Sequence, residues 1–241
     1  MTQVATQTAS KAVARPTGSW GAEDTVSDDL VLPKILIVQP TSKLVQKYDA
    51  MPGEVRSTLD GKLLAKKGEK LEFVPFNLFQ TWIHSKWGAG RWEFDSITPR
   101  RDGDTYEYED LVDGKPVAKH ERAINAYVLL PGEIKTGSAL PYVLTFKGAK
   151  TFQEGKKFTT LCKQLKMMNL APANRVFTVR TEMTTNDKGT FGTYLLEQGG
   201  PTTDAQLDAA YTWYKEVRAK GDSIKVDNSD LESETTTGAN F

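Results

Sequence analysis

The stretch KLEFVPFNLFQTWIH (70–84) decides the architecture. It sets Phe73, Phe76, Phe79 and Trp82 among aliphatic and branched neighbours, a composition suited to a pleated, buried strand. Pro75 has no N–H for a ladder, so it demands an edge position or a bulge. The next residues, Lys86-Trp87-Gly88-Ala89-Gly90-Arg91-Trp92, read as a glycine-broken loop between aromatic and basic side chains. Upstream, Lys34-Ile35-Leu36-Ile37-Val38 is a short buried strand bounded by Pro33 and Pro40. Downstream, Thr105 to Glu109 alternates like a half-buried strand, and Asp113-Gly114 is a turn signal. Ala118 to Leu130 predicts a long strand stopped by Pro131-Gly132, and Tyr142 to Phe146 another.

Helical spacing then takes over. Phe158, Leu161, Cys162, Leu165 and Met168 recur every three or four residues, one apolar stripe opposite Lys156, Lys157, Lys163 and Lys166. Arg175 to Thr184 and Phe191 to Leu196 form a hairpin about Asn186-Asp187-Lys188-Gly189. Thr203 with Gln206 is a capping box opening a last helix, with Leu207, Ala210, Tyr211, Tyr214 and Val217 on its apolar face. The expected class is mainly β with two helices (α+β). Strand length and turn density suggest a closed or partly closed barrel, an OB-like five-stranded core with extensions.

With 241 residues, the chain is able to bury roughly 70% of its unfolded surface as one unit, without metal or disulfide. Residues 1–28 hold little apolar bulk and read as a disordered N-terminal arm. Residues 29–221 read as the folded domain, and 222–241 as an acidic flexible tail of charge −4 ending in Phe241. Lys+Arg and Asp+Glu both number 31, which excludes a globally basic nucleic-acid binder but leaves room for a basic face. One cysteine and two histidines exclude an internal disulfide framework and a Cys/His zinc cluster. Cys162, inside the apolar stripe, reads as a core thiol rather than a nucleophile. No stretch of about 18 apolar residues exists, and residues 1–15 lack the apolar segment of a signal peptide, so a cytoplasmic location is expected.

Three constellations stand out. Trp82, Trp87 and Trp92 are spaced by five, with Lys86 and Arg91 between them and Arg100, Arg101, Tyr106 and Tyr108 just beyond. Flat rings for unstacked bases and cations for phosphates are what single-stranded nucleic acid requires. Trp82, in a dense apolar strand, reads as core before it reads as ligand, whereas Trp87, Trp92 and Tyr106 are candidate stacking platforms. A lysine group follows. Residues 147–166 carry six lysines against one acid, Glu154, and Lys147, Lys150, Lys156 and Lys157 join Lys86, Arg91, Arg100 and Arg101 as candidate phosphate contacts. A solvated helix face is the competing reading. Last, the tail residues Asp230, Glu232, Glu234 and Phe241 suit a partner protein or compete with phosphate for the basic groove. No phosphate-binding glycine loop, dinucleotide fingerprint or nucleophile elbow is present. The acids of 102–113 lie along a strand and turn without a metal-binding spacing, so no enzyme, metal or cofactor is expected.

The order LPKILIVQPTSKLV (32–45), Pro52-Gly53-Glu54-Val55, LEFVPFNLFQTWI (71–83) and LPYVLTFKG (140–148) resembles bacteriophage single-stranded DNA-binding proteins. The resemblance spans most of 30–220. It implies an oligonucleotide-binding barrel that coats exposed strands during phage replication, recombination or repair, with the tail recruiting replication enzymes. The alternatives are a recombination mediator or strand-annealing protein, which would oligomerise, and a virion or scaffold component without nucleic acid.

Overall fold

A computed structural model describes residues 31–88, 91–101, 103–187, 189–220, 224–233 and 236–237. The arm at 1–28, Glu234 and Phe241 lie outside them. Strand β1 (Val31–Leu32) leads into β2 (Lys34–Ile37), helix α1 (Lys43–Tyr48), β3 (Val55–Ser57) and β4 (Leu63–Ala65). The deciding stretch becomes β5 (Lys70–Gly88), which runs past His84 and pairs along Thr81–Gly88 with β6 (Arg91–Pro99). Lys86, Trp87, Arg91 and Trp92 are therefore strand residues rather than loop residues, because the pairing continues out to Gly88 and Arg91. Pro75 sits at a register shift against the neighbouring strand, the bulge its missing N–H demands.

Next come β7 (Glu109–Val112) and β8 (Lys115–Leu129). Asp113 and Gly114 join them, both left-handed at φ 52° and 74°, as a two-residue hairpin turn requires. Residues 104–107 are irregular rather than a strand, and Tyr106, exposed, lays one side of its ring against Trp82. Helix α2 (Pro131–Lys135) uses Pro131 as its first residue, where a missing N–H costs nothing. Strand β9 (Tyr142–Phe146) spans the predicted residues, and helix α3 (Ala149–Met167) buries Phe158, Cys162 and Leu165. Met168 lies past the helix and is exposed. The hairpin of β10 (Arg175–Asn186) and β11 (Gly189–Pro201) leads to α4 (Asp204–Lys220). The capping box is reciprocal: Gln206 N–H donates to Thr203 Oγ1 (3.3 Å) and Thr203 N–H to Gln206 Oε1 (2.9 Å). Tyr211 faces solvent, and Trp213 packs instead, donating to the Ala139 carbonyl at 3.2 Å.

The fold is mainly β, with a large mixed sheet ordered β11-β10-β5-β8-β9-β2-β3-β4. The described helices number five, because short α1, α2 and a C-terminal α5 (Ser229–Ser233) join the two expected ones. From Ala123 to Leu129, strand β8 is buried on both faces. Ile124, Ala126 and Val128 pack toward α3, while Tyr127 and Leu129 pack in the cluster with Ala210 and Val217 of α4. That explains its unbroken apolar run.

The described ladders do not close into a barrel. Where β2 and β11 come together, the Gln39 amide takes the place of a ladder. Its Oε1 accepts from Gly192 N–H (2.8 Å), and its Nε2 donates to the Gly192 carbonyl (3.2 Å). A Cβ at 192 would stand 2.6 Å from Ile37, so the approach needs glycine.

The chain end departs most from expectation. Residues 224–233 form a strap on the body instead of a free tail. Strand β12 (Lys225–Val226) pairs in parallel with β1, and Leu231 is buried against Ile83 and Ala123. Asp230 is 9% exposed and accepts from Lys34 Nζ at 2.8 Å. A lysine buried at the start of β2 requires a counter-charge, and Asp230 supplies it. Strand β13 (Thr236–Thr237) then pairs with β6 beside Arg91 and Trp92.

Candidate nucleic-acid interface

Strand alternation separates the three tryptophans. A spacing of five is odd, so Trp82 and Trp87 project from opposite faces of β5. Trp82 is 5% exposed and opposite Arg122 in register. Trp87 is 40% exposed and meets its cross-strand partner Trp92 edge-to-face at 5.2 Å. The cations near this tip are matched by acids of the hairpin. Lys86 lies 2.5 Å from Asp95, and Arg91 lies 3.1 Å from Glu93. The Lys86 ammonium, as hydrogen-bond donor, holds the Asp95 carboxyl below its usual range. The tip therefore offers the exposed Trp87 ring, with Trp92 half-buried beside it, but largely neutralised charge, and Arg101 is exposed on the irregular segment beyond β6.

The Trp82 face carries a different cluster. Gln80 Oε1 accepts from Arg100 Nη1 (3.1 Å) and from Arg122 Nη2 (3.3 Å). The Arg122 guanidinium lies 5.8 Å from the Trp82 ring centre and 5.4 Å from that of Phe152 on α3. Lys156 Nζ lies 5.2 Å from the same Phe152 ring. All three contacts fall in the range of cation–π attraction. Desolvation, and then the charge of Arg100, holds Arg122 below the ordinary arginine value. Among the described residues, neither arginine is ion-paired. Sequence reasoning found Arg100, Trp82 and Lys156 but missed Gln80, Arg122 and Phe152. No local signal marks them, because only the β5–β8 register and the seat of α3 bring them together.

Tyr106 joins this face to a buried polar pair. It is 47% exposed, and its ring lies 5.1 Å from Trp82, 5.2 Å from His84 and 4.9 Å from His120. The two histidines touch through Nδ1 atoms 2.7 Å apart, so one proton is shared between them. His84 Nε2 meets Thr98 Oγ1 at 2.8 Å and His120 Nε2 meets Asp110 Oδ2 at 2.9 Å. Burial, and then His120, pushes His84 below its ordinary pKa, against a smaller pull from Asp95. No group of three or more His, Cys, Asp or Glu side chains among the described residues suits a metal. Burial pushes the Cys162 thiol up to about 12, the behaviour of a core thiol.

The lysines of 147–157 do not form one surface. Lys147 lines a cavity with Lys34 and Asp230, near the strap. Lys150 donates to Thr184 Oγ1 at 3.3 Å. Lys157 donates to the Leu196 carbonyl at 2.6 Å. Lys156 alone among these four contacts the Phe152 ring. Of the tail residues, Asp230 is committed to Lys34, and Glu232 lies within α5.

The chain matches the Pam3 phage gp34-like protein family over residues 3–222 and belongs to it, a family of bacteriophage proteins. No curated protein and no solved structure matches it. The strap at 224–233 lies beyond the matched stretch. No helix among the described residues is long and apolar enough to cross a membrane.

Proposed function

We propose that this phage protein binds single-stranded DNA without sequence preference and covers exposed strands during replication, recombination or repair. The supporting observation is the face on which Arg122 lies near Trp82 and Phe152, beside Arg100 and Lys156, with half-exposed Tyr106 next to it. Cations not matched by acids attract a phosphate backbone, and exposed rings hold bases by stacking worth about 1–3 kcal/mol each. The curled sheet, with α3 between β9 and β10, suits an oligonucleotide-binding barrel left open at Gln39 and Gly192. In this reading Trp87 and Trp92 are a second stacking patch at the hairpin tip, and the end of the chain serves partner proteins. The protein acts as a binder, not as an enzyme.

The test is intrinsic fluorescence of the five tryptophans, titrated with oligo-dT at low and moderate salt. Saturable quenching that weakens with salt is expected. Absence of both quenching and a mobility shift would refute the reading and favour a virion or scaffold role.

A further inference from the structure

We infer that Arg100 and Arg122 form a seat for one phosphate group, and, resting on the strand-binding reading above, that its occupant is a backbone phosphodiester. Two guanidiniums converge on a single neutral oxygen, Gln80 Oε1. Each fork carries five donors and is shaped to clasp two oxygens of an oxyanion. Buried donors in folded proteins nearly always find acceptors. Here Arg100 Nε, Arg122 Nε and Trp82 Nε1 are buried without an acceptor among the described residues. All three belong to this one cluster, and all three are donors, so what complements them is an acceptor carrying negative charge. Trp82 is itself more than nine-tenths buried.

The surroundings favour phosphate over a lone carboxylate. Lys156 adds a third positive charge across the Phe152 ring, and no ion pair among the described residues offsets Arg100, Arg122 or Lys156. Gln80 orients both forks without neutralising them, so the attraction is left for a ligand. Tyr106, its ring 5.1 Å from that of Trp82 and 47% exposed, offers a ring to the base next to the held phosphate. A strand so anchored has one fixed phosphate, from which its bases run toward Tyr106.

The test uses the full chain, its Arg122→Gln and Arg100→Gln variants, and Arg122→Lys, which keeps the charge but loses the fork. Thermal melts in inorganic phosphate are compared with chloride at equal ionic strength, and oligo-dT is titrated across a salt series. Phosphate should raise the melting temperature of the parent protein and not of Arg122→Gln. The Gln variants should bind oligo-dT about ten- to a hundredfold more weakly, with the salt slope shallower by about 0.7 per lost phosphate contact. Arg122→Lys should keep the slope and lose part of the affinity. Folded Gln variants with parental slope and affinity would overturn the seat while strand binding stands. Phosphate stabilisation without any oligo-dT binding would keep the seat and sink the strand reading. Displacement of phosphate by a peptide copy of residues 224–241 but not by oligo-dT would overturn the phosphodiester assignment.

Discussion

Replacing Asp230 by Ala asks whether the chain end is part of the fold. Lys34 Nζ and Asp230 Oδ1 are 2.8 Å apart, with side chains 7% and 5% exposed. At an effective dielectric of about 20, that separation is worth about 6 kcal/mol of attraction. Removing two ions from water costs several kcal/mol each, so the intact pair contributes little net stability. The single variant is different, because it leaves Lys34 buried, where desolvation already lowers its pKa. Lys34 then has two escapes. It sheds its proton, at a cost capped near about 5 kcal/mol for a fall from about 10.4 to pH 7. Alternatively the strap lifts and lets water in, giving up chiefly the burial of Leu231, about 1.5–3 kcal/mol. Lifting costs less, so Asp230→Ala should lose about 2–3 kcal/mol in urea melts. It should also speed tryptic cleavage at Lys225, which lies on the strap. The double variant Lys34→Met with Asp230→Leu should recover the loss, since an apolar pair needs no desolvation. A urea midpoint within about 0.5 kcal/mol of the parent, with cleavage at Lys225 unchanged, would refute the claim that this pair anchors the strap.

Two further outcomes are expected. The folded state holds His84 below its ordinary pKa of about 6.5, through burial first and His120 second. The unfolded chain therefore takes up that proton first, so the His84 contribution is complete above about pH 6.5 and is lost as pH falls toward the folded value. Urea melts from pH 8 to 5 should show the decline, and His84→Gln should flatten it between pH 6.5 and 5; equal slopes in both proteins would exclude His84 as its source. Gly192→Ala should cost about 1–3 kcal/mol, because the new Cβ stands 2.6 Å from Ile37 Cγ2, itself buried. An unchanged melt would mean that β2 and β11 are not pressed together there.

Local chemistry made much of the fold legible. Apolar periodicity marked α3 and β9, Thr203 with Gln206 marked the start of α4, and Asp113-Gly114 marked the β7–β8 turn. Each signal lies within a few residues of its effect. Legibility ended where partners are far apart in the chain. Trp82 and Trp87 read as one cluster until pairing assigned them to opposite faces. Arg122 looked like an ordinary strand cation until the β5–β8 register set it opposite Trp82 and α3 brought Phe152 to it. Asp230 looked like a tail acid because Lys34, its partner, is 196 residues away. Composition and local pattern by themselves pointed to a mainly β protein with balanced charge and aromatic-basic segments. Which cations face an acid and which do not was decided only by the tertiary structure, since Coulomb attraction and desolvation depend on distance in space and not on distance along the chain.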